Sequence, residues 1–122
     1  MAYEQTLRTI GAPASADLSA AQFCFVVVNA SGQLALPAAG GEAEGILQDK
    51  PNGAGVYGEV GILGISKLVV GTAGVTAGDL LATDATGKAV TATTGNKILG
   101  RALASGAAGT IIPALIQQKG KL

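Results

Sequence analysis

Histidine and tryptophan are absent from this chain of 122 residues, cysteine occurs once, and aromatic residues make up only 3% of it. Without histidine, the Ser-His-Asp and Cys-His catalytic sets and the imidazole-based zinc sites are excluded. No catalytic residue, cofactor or metal site is therefore expected, and the chain reads as something other than an enzyme. The single cysteine, Cys24, admits no internal disulfide. Set in the run Phe23-Cys24-Phe25-Val26-Val27-Val28, it is expected to be a buried, reduced and unreactive thiol, as in a protein made in the cytosol. Charge is scarce too, at 13% of residues, with eight Lys and Arg balancing eight Asp and Glu. A protein that binds nucleic acid by neutralising phosphates needs a basic surplus, so no nucleic-acid partner is expected. No stretch approaches eighteen uninterrupted apolar residues, and Met1 to Arg8 carries a carboxylate and no continuous apolar run. Neither a signal peptide nor a membrane span is expected.

What remains is small and apolar. Hydrophobic residues reach 48%, mostly Ala, Val, Leu and Ile, and 19 glycines are scattered among them. A chain of this length buries roughly two-thirds of its unfolded surface, enough for one domain. The glycines punctuate short apolar runs that read as strands: Phe23 to Val28, Gln33 to Leu36, Gly45 to Leu47, Val56 to Leu63, Lys67 to Val70, Asp79 to Thr83, Ala89 to Ala92, Ile98 to Ala104 and Thr110 to Ile116. Turn segments such as Asn29-Ala30-Ser31-Gly32 and Asp84-Ala85-Thr86-Gly87 separate them. One short helical turn is expected at Asp17 to Gln22, capped by Asp17. The fold class expected is mainly β, a small barrel or sandwich of short strands.

An internal repeat organises the chain. Asn29-Ala30-Ser31-Gly32-Gln33 matches Asp84-Ala85-Thr86-Gly87-Lys88 at an offset of 55, which also pairs Gly40 with Gly95 and Gly45 with Gly100. One deletion later, Gly55 pairs with Gly109. Neither half buries its apolar face alone, so the two are expected to pack together as one pseudo-symmetric body. The division that follows is an extended N-terminal arm at 1–21, a β domain at 22–116 with halves at about 22–70 and 76–116, and a polar tail at 117–122 that frays. Tyr3, Leu7 and Ile10 are the apolar points of the arm and the candidates for contact with another protein surface or a neighbouring subunit. Removal of residues 2–12 is expected to leave the barrel folded.

Two phosphate-binding motifs are matched only in part. Gly53-Ala54-Gly55-Val56-Tyr57-Gly58 has the spacing of a dinucleotide fingerprint, but that motif follows a strand and opens a helix, whereas here β-prone residues follow it. Ala82 to Ala89 lacks the first glycine and the magnesium-binding hydroxyl of a P-loop. Both segments are read as hairpin turns. Asn29-Ala30-Ser31 is a glycosylation sequon read as a turn, and Glu42 and Glu44 are read as solvent-facing.

The segment from Gln22 through Ile116 resembles the phage capsid cement, or head decoration, proteins of the small Gly/Ala-rich type. The resemblance is carried by Asp17-Leu18-Ser19-Ala20-Ala21-Gln22-Phe23, Asn29 to Gln33, Glu44-Gly45-Ile46-Leu47-Gln48-Asp49-Lys50-Pro51, Gly64 to Val70, Ala77-Gly78-Asp79-Leu80-Leu81-Ala82-Thr83-Asp84 and Ile98 to Leu103. It implies a structural protein, made in the host cytoplasm, that binds the outside of an assembled icosahedral head and stabilises it. The partners it implies are the major capsid protein and further copies of the chain, commonly as a trimer. A carbohydrate-binding or cell-surface-binding module displayed on the head is the alternative. Sugar sites usually need exposed aromatic platforms, and the chain has only Tyr3, Phe23, Phe25 and Tyr57. Strand alternation puts Phe23 and Phe25 on one face, which is expected to be core.

Overall fold

The structure, a computed structural model, describes residues 5–122. Among the described residues nine strands follow one another: β1 (Gln5–Pro13), β2 (Phe25–Val28), β3 (Leu34–Ala35), β4 (Gly45–Leu47), β5 (Tyr57–Val69), β6 (Leu80–Thr83), β7 (Ala89–Thr91), β8 (Lys97–Ala102) and β9 (Ile111–Lys121). They form one curled antiparallel half-barrel sheet in the order β3-β2-β4-β5-β9-β8-β6-β7, with β1 laid on β5.

Four stretches differ from the sequence reading. The runs expected at 56–63 and 67–70 are one strand of 13 residues. Gly64 reads as a break, yet the backbone passes through it because Ile65 pairs with Gln5 on one edge and Leu115 on the other. The tail expected to fray is strand almost to its end, with Ile98↔Gly120 and Lys97↔Lys121 in register. Most of its side chains are exposed, while the backbone ladder holds it. The segment read as an arm is β1 over Gln5–Pro13, paired with β5 of its own chain through Thr9↔Gly61, Ile10↔Val60 and Pro13↔Tyr57. No helix forms at Asp17 to Gln22. Asp17 Oδ1 instead accepts from the Ser19 amide at 2.9 Å, and two tight turns follow, Ala21 N to Leu18 O and Cys24 N to Ala21 O.

The second half repeats the first strand for strand. Val27↔Ala35 recurs 55 residues on as Ala82↔Val90, and Phe25↔Ile46 recurs as Leu80↔Arg101. Ile46↔Gly61 recurs as Arg101↔Leu115. The equivalence also reaches beyond 22–70 and 76–116, because β1 takes part in it. Ile10↔Val60 through Pro13↔Tyr57 has the same register as Ser66↔Ala114 through Val69↔Ile111. Even the isolated parallel bridge Ala14↔Leu34 returns as Val70↔Ala89. The first unit is thus β1 to the N-terminal half of β5, and the second is the C-terminal half of β5 to β9. The long strand β5 serves both.

Each unit has an apolar cluster at the same positions. Ala14, Val26, Leu34, Leu47 and Val60 in the first correspond to Val70, Leu81, Ala89, Ala102 and Ala114 in the second. Three of those five are smaller in the second unit. The second cluster is completed by Phe25 and Ile46, which come from the first unit and are 1% exposed. Full burial of a side chain of that size contributes about 1.5–3 kcal/mol, so the joint between units is a main source of stability. Close strand approach explains the glycines at the equivalent positions 45 and 100. A Cβ at Gly45 would be driven into the Gly61 carbonyl oxygen, and one at Gly100 would lie 2.8 Å from that of Leu115.

Candidate interaction surface

The segments with borrowed phosphate-site spelling are turns. Asn29 Oδ1 accepts from the amides of Ser31 and Gln33 at 3.0 Å each, and Asp84 Oδ1 accepts from those of Thr86 and Lys88 at 2.9 Å each. Gly53 to Val56 closes a turn through Val56 N to Gly53 O at 3.2 Å and opens β5, a strand and not a helix. Of the two carboxylates read as solvent-facing, Glu42 is exposed and lies 3.5 Å from Lys97 Nζ. Glu44 is half-buried, and its Oε2 accepts from the Val28 amide at 2.9 Å, which fixes the end of β2. Cys24 is 1% exposed and sits in the first cluster. Burial pushes its thiol up to about 11, with Lys88 opposing and Asp84 adding to the shift.

The three contact candidates separate. Tyr3 lies outside the described residues. Leu7 is half-buried and packs against the second unit's cluster, filling the space that a side chain at Gly61 would need. Ile10 is 40% exposed. It stands at an open groove of about 830 Å³ with Ile62, Leu63 and Ile116, rimmed by Glu42, Glu44, Gln117, Gln118 and Lys119. The groove opens where β4 and β9 meet the same edge of β5. β4 is in register with Gly61 and Val60, and β9 takes over from Gly64 onwards.

Two further surface features escape a reading by alternation. Among the described residues Tyr57 is the most exposed large apolar side chain, at 69%, and Leu63 follows at 55%. Phe23 does not share the core with Phe25. Its backbone adopts φ 61°, which ends the alternation before β2 begins, and its half-buried ring belongs to neither cluster. The ammonium of Lys67 lies 5.4 Å from the ring centroid. The repeat held the signal for this: 55 residues on, the equivalent position is Gly78, at φ 91°.

Compared with models of known families and with curated proteins, the chain matches none. Among solved structures it is similar in fold to the crystal structure of the head fiber gp8.5 N base in bacteriophage phi29. The TM-score is 0.75 at 16% sequence identity, covering 96% of this chain and 98% of that one.

Proposed function

We propose that this chain is a structural decoration protein of a phage head, which binds the outside of the assembled icosahedral shell, with the major capsid protein as its partner, and stabilises it. The observation that carries the reading is the shared fold over nearly the full length of both chains with the base of a phage head fiber. The composition supports the same reading. A domain without histidine or net charge, exposing Ile10, Tyr57 and Leu63, suits adhesion to protein and not catalysis. A protein that binds only the assembled shell stabilises it by mass action, by about 2.7 kcal/mol per site at a hundred times its dissociation constant. Self-association as a trimer belongs to this proposal, with Ile10 on the contact surface. Purified protein mixed with heads of the phage that encodes it should sediment with them and saturate at a fixed copy number. Free protein in the supernatant at every ratio would contradict the reading. Analytical ultracentrifugation of the unbound protein tests the trimer.

A second reading rests on Tyr57. An aromatic ring that is 69% exposed is the kind of platform that stacks on a sugar, and supports a glycan- or cell-surface-binding module displayed on the head. Binding on a glycan array that is lost with Tyr57→Ala would favour this reading over decoration.

A further inference from the structure

We propose that Phe23 and Lys67 form the anchor by which the protein grips the shell, seated against a carboxylate that stands beside an apolar side chain on the outer face of the capsid protein. This rests on the head-binding reading above and names a contact for it.

The repeat supplies an internal control. At position 78 the second unit uses glycine for a left-handed backbone, φ 91°. The first unit meets the same demand at position 23 with phenylalanine, φ 61°, the one non-glycine residue at positive φ among the described residues. The backbone around both is held alike. The amide of Phe23 donates to the Leu47 carbonyl at 2.7 Å and the amide of Gly78 to that of Ala102 at 2.8 Å. A side chain in this conformation is strained, which glycine avoids at no steric cost. The ring does not repay the strain in the core, since neither apolar cluster includes it. Strained side chains of this kind gather where a molecule meets its ligands.

Lys67 supplies the chemistry. It stands on β5, 5.4 Å from the centroid of the Phe23 ring, and among the described residues only Lys97 and Glu42 form an ion pair. An ammonium over an aromatic face, with no carboxylate paired to it among the described residues, presents a cation beside an apolar plate. A surface with a carboxylate next to an apolar side chain complements both, the carboxylate on the ammonium and the apolar group on the ring. At the equivalent positions the other unit has Gly78 and no ring, so one such anchor exists per chain.

The test uses the full chain, heads of the encoding phage, and two variants. Phe23→Gly restores the residue that the backbone favours, and Lys67→Glu reverses the charge. The expected result is that Phe23→Gly unfolds within about 5 °C of the wild type yet binds heads at least about tenfold more weakly, and that Lys67→Glu weakens binding by a similar factor or more. Should Phe23→Gly unfold much earlier, Lys67→Glu decides alone. Wild-type affinity in Lys67→Glu, or in a stable Phe23→Gly, would overturn the inference and leave the head-binding reading intact. Failure of the wild-type protein to bind heads would overturn both.

Discussion

Gln118 donates from Nε2 to the carbonyl oxygen of Ala43 at 2.7 Å, across 75 residues of chain, and reaches the Glu44 carbonyl at 3.2 Å. In the second unit the corresponding stretch is paired by backbone, through Ile98↔Gly120 and Lys97↔Lys121. In the first unit the matching partners on β5, Ser66 and Lys67, are already taken by Ala114 and Pro113. The residues before β4 are therefore left without a strand, and one side chain of β9 closes the gap. Gln118→Ala should lower stability by about 1–2 kcal/mol, since a carbonyl that has lost its donor is only partly reached by water. Urea unfolding of the variant checks this. A midpoint equal to the wild type would mean that water serves the carbonyls as well.

The two turn residues Asn29 and Asp84 do the same work with different chemistry. Each side-chain oxygen accepts from the amides two and four residues on, and Asp84 also takes the Thr86 hydroxyl at 2.8 Å. Asp84→Asn should be tolerated within about 0.5 kcal/mol, because the first unit already runs on asparagine. Asp84→Ala should cost about 1–2 kcal/mol. Chemical denaturation of the pair of variants reads the difference.

Cys24 gives the fold an alkaline limit. Its ordinary value of 9.0 is raised to about 11 by burial, so the folded state holds the thiol proton more tightly than the unfolded chain. That contribution is fully present below pH 9.0 and is lost as pH rises through about 11. The wild type should lose more stability between those limits than Cys24→Ala, a comparison that isolates the thiol. A thiol reagent at neutral pH should modify the native protein only as fast as it opens.

Strand β1 belongs to the body of the domain. Deleting residues 2–12 removes all of β1 but Pro13, bares an edge of β5 and takes Leu7 from the second unit's cluster. The truncated protein should therefore be less stable by at least about 2 kcal/mol, as measured by its unfolding midpoint. Unchanged stability would return the segment to the role of a dispensable arm.

The strands bounded by glycine turns were legible in the sequence because their apolar runs are short and the turn chemistry at Asn29 and Asp84 is local. The segment Gln5–Pro13 was not, because its own alternation is weak and its strand character comes from β5, a tertiary partner. The polar end of β9 misled for a related reason, since composition reports which side chains meet water and not which amides are paired. At the candidate surface, Ile10 was legible as an apolar point. The inward packing of Leu7 depends on the missing side chain at Gly61, which no local pattern announces. Alternation misplaces Phe23 because a left-handed residue ends it, although the alignment with Gly78 carries the correction.

Electron microscopy of purified heads with and without this protein decides whether it decorates the shell. Extra density is expected at regular positions on the outer face of the shell, absent from heads that lack the protein and restored when it is added back. Heads that look the same in all three preparations would contradict decoration.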